Sequence, residues 1–195
     1  MGAIAAKLQP WAAAKLAELK ETEASGHFVV TPLNRCMPSA VPGTGIVGGS
    51  IYGLEILVEP RQVTFLYGLD RNIRFIYIDQ DHPAGLAPSW MGHSVGRWEG
   101  DTLVTDTIGF NDENAVANGI PITRKMHVVE RLSMVNGQLE DRATFDHPGA
   151  LTGSFEITNR FERAAPFQEY ICAENNRFGG VATSTGQPTP NLVGK

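Results

Sequence analysis

From residue 51 on, segments rich in β-branched, aromatic and other apolar residues alternate with turn-rich ones, the pattern of a succession of short strands. Ile51–Val58, Gln62–Tyr67 and Asn72–Asp79 read as three successive strands. Their separators, Glu59-Pro60-Arg61 and Gly68–Arg71, suit short hairpin connections. Gly96–Glu99 and Thr102–Ile108 follow, joined by a tight turn at Glu99-Gly100-Asp101, where glycine supplies the positive φ. After a longer loop, Met126–Met134 and Gln138–Phe145 are expected to pair across Asn136-Gly137, the strongest short hairpin signal in the chain. Gly153–Phe161 and Gln168–Ala173 complete the set. Helical spacing occurs once, over Gln9–Ala24, with Pro10 suited to the first turn and a body rich in Ala, Leu, Lys and Glu. Leu8, Trp11 or Ala12, Leu16 (or Lys15) and Leu19 give it a narrow apolar stripe, so it is expected to lie against the main body or cap one end. Ser25-Gly26 ends it. Residues 31–50 carry too many prolines and glycines for a regular element.

About nine short strands and one helix predict a mainly β fold, an antiparallel, lipocalin-like barrel of about 8–9 strands. One domain, 1–195, is expected, with the helix at 9–24, the barrel over 51–173 and a flexible or surface-wrapped tail over 183–195. An open, cone-shaped sheet is the alternative. A barrel of this size has room inside for one small ligand.

Composition narrows the partners. A formal charge of −5, with no basic stripe, argues against a nucleic-acid backbone. No apolar run approaches the ~20 residues needed to cross a bilayer. The N-terminus shows no long apolar h-region, so a cytoplasmic location is expected, with a processed signal as the alternative. Cys36 and Cys172 are the two cysteines, either bridged or two buried free thiols. No C-x-x-C, zinc-spaced His/Cys cluster, G-x-S-x-G elbow, Walker loop or H-E-x-x-H occurs. Gly43-Thr44-Gly45 and Gly48-Gly49 do not link a strand to a helix, so neither reads as a nucleotide loop. Chemistry without a cofactor or metal is the expectation.

Trp90–Asp112 concentrates the candidate chemistry. Asp106 lies mid-strand, where a carboxylate is unfavoured unless solvated or deliberately placed. His93 lies just across the hairpin from it, and Asp101 sits in the turn. A His–Asp pair there could act as base and orienter; the alternative is a histidine bonded to turn backbone. In Met126–Leu132, alternation puts His127, Val129 and Arg131 on one face and Met126, Val128, Glu130 and Leu132 on the other, which reads as core with Glu130 an oddity. Glu130 either contributes to binding or pairs with an arginine of a neighbouring strand. Tyr77 and Asp79 share a face with Phe75; the Tyr77 hydroxyl either meets a ligand oxygen or rests at the rim of the core. Asp81-His82-Pro83 reads as a surface turn, with a rim residue as the alternative.

The stretch Gly92-His93-Ser94-Val95-Gly96-Arg97-Trp98-Glu99-Gly100-Asp101-Thr102-Leu103-Val104 resembles the G-H-S-x-G-R-W-E-G-D-T-L-V-x-D-T-x-G-F-N-D core of a bacterial family of small proteins. The match runs to Asp112 with Thr105 at a variable position, and similarity continues in His127–Arg131 and Cys172–Asn176. It covers about two thirds of the chain, and the core marks the family without specifying an activity. One activity associated with small cofactor-free proteins of this length is that of α-pinene oxide lyase, which opens a terpene epoxide to an unsaturated aldehyde. The resemblance carries over no catalytic residue.

The expectation is therefore a cofactor-independent lyase or isomerase acting by acid–base catalysis on a small apolar oxygenated molecule, such as a terpenoid epoxide. His93 and Asp106 are the expected titrating pair, sequestered in an apolar chamber, with His127 and Tyr77 as helpers. Trp90, Trp98, Phe75 and Tyr52 would offer aromatic faces to developing positive charge. A lipocalin-like carrier of an apolar ligand and a biosynthetic dehydratase or cyclase are the alternatives. A homodimer through the helix or an exposed strand is compatible with either.

Overall fold

Residues 7–27, 38, 53–68, 72–112, 115–116, 120–121 and 123–163 are described in the computed structural model. In chain order the strands are β1 (Leu54–Glu59), β2 (Gln62–Tyr67), β3 (Ile73–Ile78), β4 (His93–Glu99), β5 (Thr102–Ile108), β6 (Ala115–Val116), β7 (Ile120–Pro121), β8 (His127–Val135), β9 (Gln138–Asp146) and β10 (Phe155–Phe161). Eight of them form one sheet in the order β1-β2-β3-β4-β5-β8-β9-β10. The short β6 and β7 pair separately within the long loop. The large sheet curls into a half-barrel, so the mainly β, barrel-like expectation holds. Tyr52, Cys36, Cys172, the strand expected at 168–173 and the tail from residue 183 lie outside the described residues.

Every neighbouring pair in the sheet is antiparallel except β3 and β4, which run parallel with Ile76 opposite Ser94. The expected all-antiparallel pairing is corrected at this one step. Parallel neighbours need a crossover of a dozen or more residues, and segment 79–92 is long enough to make one. At Asn136-Gly137 both residues have positive φ, 51° and 81°, as the two-residue hairpin between β8 and β9 requires.

Side-chain alternation sorts the strands onto two faces. The buried, concave face holds two apolar clusters. One joins Val63, Phe65, Tyr67, Ile76, Ile78, Leu103 and Leu132. The other joins Phe110, Met126, Val128, Ala143, Phe145 and Phe155 to Leu8 and Ala12. Helix α1 (Pro10–Ala24) buries only Ala12 fully, while Leu16 packs against the cluster edge. Its N-terminal approach is fixed by backbone: Gln9 N–H donates to the Ala150 carbonyl at 2.8 Å, and Thr152 N–H to that of Lys7 at 2.7 Å. The helix thus caps one end of the half-barrel.

Between the two clusters runs a buried polar layer. On β8, Glu130 sits between Val128 of one cluster and Leu132 of the other. Arg74 reaches it from β3, three strands away. At the ordinary strand spacing that is about 14 Å across a flat sheet, close to the full reach of the two side chains, so a direct contact made by side chains standing out of the sheet favours pronounced curl. Arg74 Nη1 donates to Glu130 Oε1 at 3.0 Å and Nη2 to Oε2. Nε donates to Ser94 Oγ at 2.9 Å on β4, and Nη2 also to Thr107 Oγ1 at 2.9 Å on β5. Thr105 Oγ1 donates to Glu130 Oε2 at 2.7 Å. Burial, the largest single influence, lowers the pKa of Arg74, but the charge and hydrogen bond of Glu130, with smaller help from Tyr67 and Asp141, together outweigh it and the net shift is upward. Of the two readings of Glu130, the arginine pair is the one formed, but with an arginine three strands away and not on a neighbouring strand.

Asp141, opposite Leu132 on β9, is only 6% exposed, and its Oδ1 has no hydrogen-bond partner among the described residues. Burial, then the nearby Glu130 charge, push its pKa up to about 8. It is therefore largely a neutral acid at pH 7.

Removing Arg74 leaves a buried, uncompensated carboxylate. Arg74→Met is expected to cost about 3–5 kcal/mol in urea unfolding, and the double variant Arg74→Met/Glu130→Leu to regain most of it. A double variant as unstable as the single one would show that the ion pair is not the source. Asp141 binds its proton more tightly folded than unfolded, so its contribution is complete below pH ~4 and is lost as pH rises toward 8. Asp141→Asn should gain Tm relative to wild type progressively from pH 4 to pH 8. Parallel melting profiles for the two proteins would contradict the assignment.

Candidate functional site

The same strands present a second set of side chains on the opposite face. Arg74, Ser94, Thr105, Thr107 and Glu130 point inward. Their neighbours in sequence, or those one alternation further along, point out: Phe75 and Tyr77 on β3, His93 on β4, Asp106 on β5 and His127 on β8. The register sets Asp106 opposite Val95 and His93 opposite Ile108, so His93 and Asp106 are staggered rather than paired. His82, from the β3–β4 crossover, fills the gap.

The result is a continuous line of polar groups. His93 Nδ1 lies 2.9 Å from His82 Nδ1, and His82 Nε2 lies 3.1 Å from Asp106 Oδ1. The other Asp106 oxygen, Oδ2, lies 2.9 Å from His127 Nε2. A carboxylate only accepts hydrogen bonds, so His82 Nε2 and His127 Nε2 are the donors to it. With His82 neutral, its Nδ1 is the lone-pair nitrogen and accepts from His93 Nδ1–H. That leaves the lone pair of His93 on Nε2. The Tyr77 ring stacks on the His93 ring with centroids 5.1 Å apart and planes 22° from parallel. Burial, then the adjacent His82, lower the pKa of His93, so it is a neutral imidazole at pH 7.

Beside this line lies a cleft of about 520 Å³, between the N-terminal half of β3 and segment Ser89–Gly92. Its origin is local. β4 pairs with β3 only from Ser94 onward, and just before it Gly92 adopts φ +68°. The chain turns away there to bridge Ser89 with Phe110 instead of continuing the ladder. A Cβ at Gly92 would stand 2.7 Å from the Ile108 carbonyl oxygen, so the departure requires glycine. The opened ladder is lined by Asn72, Arg74, Phe75, Tyr77, Trp90 and His93, among others.

Of the residues singled out in the sequence, His93, Tyr77, Phe75 and Trp90 meet at this cleft, and Asp106 and His127 stand behind His93. Trp98 does not join them; it is exposed toward the turn end of β4. Asp101 lies in that turn, where Arg131 Nη2 donates to Glu99 Oε2 at 2.8 Å. Glu130 lies on the other face, bound to Arg74, so its expected substrate contact gives way to the ion pair. Asp79 leaves the strand with φ 54°, and its backbone N–H donates to the Gly96 carbonyl at 2.8 Å. His82, read from sequence as a surface turn, is instead the link between His93 and Asp106. Local spacing marks it only as part of Asp81-His82-Pro83, because the parallel crossover that carries it to Asp106 leaves no short-range signal.

The expected closed, apolar chamber is also corrected. The side chains of His82, Asp106 and His127 are 20%, 38% and 40% exposed. The concave face of these strands is already occupied by core and by the Arg74–Glu130 layer, so the polar line is left on the outer face, partly open to water. Among the described residues no group of three or more His, Cys, Asp or Glu is arranged to hold a metal ion. Compared with family models, curated proteins and solved structures, the chain matches none.

Because His82 helps to hold the His93 pKa down, His82→Gln is expected to move the His93 titration upward, followed by NMR of the ring protons. An unchanged or lower midpoint would show that the two rings are not electrostatically linked.

Proposed function

We propose that the protein is an acid–base lyase or isomerase, with His93 as the base and a small, mostly apolar oxygenated molecule in the cleft as substrate. The observation that carries this reading is the alignment of His93, His82 and Asp106 beside a cleft lined by aromatic rings. A proton taken from substrate carbon by His93 Nε2 can be matched by transfer of the Nδ1 proton to His82 Nδ1. The positive charge then rests next to the Asp106 carboxylate, which His127 holds in place. Phe75, Trp90 and Tyr77 suit the apolar body of the substrate. If the oxygen gains the proton that carbon loses, the reaction is an isomerisation; if it departs as water, a dehydration. Since the line is partly hydrated, it favours charge held on the protein over a free, shielded carbocation.

Terpenoid epoxides are the first substrates to screen. His93→Gln should lower kcat/KM by about 10²–10⁴ with the fold retained. In the wild type, kcat/KM should fall as pH drops through the His93 pKa, which lies below the ordinary 6.5. Wild-type turnover by His93→Gln, or ligand bound but recovered unchanged, would replace the enzyme by a carrier.

A further inference from the structure

We propose that Asn72 grips the oxygen of the ligand, and that the cleft therefore selects a neutral hydrogen-bond acceptor such as a ketone or an epoxide. This rests on the cleft being the ligand site, as proposed above, but not on any turnover there. Asn72 lines the cleft, is only 8% exposed, and its Nδ2 has no hydrogen-bond partner among the described residues. Its backbone is fixed, because the Tyr67 N–H donates to the Asn72 carbonyl at 2.9 Å across the β2–β3 turn. A buried amide donor left unpaired is costly, and a ligand oxygen in the adjoining cleft would satisfy it.

The charge of the ligand follows from the neighbours. Arg74 also lines the cleft, but its Nε, Nη1 and Nη2 are all engaged by Ser94, Glu130, Thr105 and Thr107. Glu130 balances its charge. His93 is neutral at pH 7. Among the described residues the cleft lining thus offers a carboxylate ligand no uncompensated cation. An ammonium ligand, a donor only, cannot satisfy Asn72 Nδ2. Asn72 precedes β3 and His93 begins β4, so they flank the opened ladder from its two sides.

The test compares camphor, a neutral bicyclic ketone, with its parent hydrocarbon bornane and with adamantane-1-carboxylate, on the full chain. Affinity is read from tryptophan fluorescence, and location from NMR of the Asn72 side-chain amide and the Trp90 and His93 rings. Camphor should bind about tenfold more tightly than bornane, and more tightly than the carboxylate, and should shift the Asn72 amide. Asn72→Leu should abolish the ketone preference; should that variant not fold, the wild-type amide shift decides. Equal affinity for ketone and hydrocarbon, or a Trp90 and His93 response without one at Asn72, overturns this proposal alone. No response at Trp90, His93 or Asn72 overturns the cleft as ligand site and this proposal with it.

Discussion

The contact of Arg74 with Glu130 is the constraint on which the architecture depends. It joins β3 to β8 over the two strands between them, and its remaining donors fasten Ser94 on β4 and Thr107 on β5. On a flat sheet it would need both side chains stretched flat along the sheet, so the contact favours curl. The same contact interrupts the apolar interior, dividing the core into two clusters joined at their edge by Met91. Burying an ion pair is expensive, and here every nitrogen of the guanidinium finds an acceptor, which is the condition under which such a pair is tolerated.

Curl and chemistry are coupled because strands alternate. Fixing Ser94 also fixes His93, and fixing Thr105 and Thr107 fixes the carboxylate between them at Asp106. The inward layer sets the spacing of the outward one. His82 then enters from a crossover that exists only because β3 and β4 run parallel. The line from His93 to His127 thus draws on three strands and one loop, held by a network on the opposite face of the sheet.

Much of the fold was legible. The limits of β2 and β5 follow directly from their β-branched and aromatic runs, α1 from its composition and Pro10, and the β8–β9 hairpin from Asn136-Gly137. The core face of β8 was legible too, with Glu130 standing out in it as an oddity whose arginine pairing was one of two readings. Less of the site could be read. His93, Asp106, His127 and Tyr77 stand together, but the sequence suggested a direct His93–Asp106 pair inside a closed chamber. Hairpin proximity in sequence says nothing about the stagger of the register, and the identity of the intervening His82 depends on where a loop crosses.

The sequence by itself determined where most of the strands and the helix lie, which face of β8 is apolar, and that the polar residues of the Trp90–Asp112 stretch called for partners, because these are matters of period and local backbone preference. Only the tertiary structure decided that Arg74 would answer Glu130 from three strands away, that His82 would bridge His93 and Asp106, and that Gly92 would open a cleft beside them. Those outcomes depend on strand order, curl and the path of a crossover, which are set by long-range packing and not by any short run of residues.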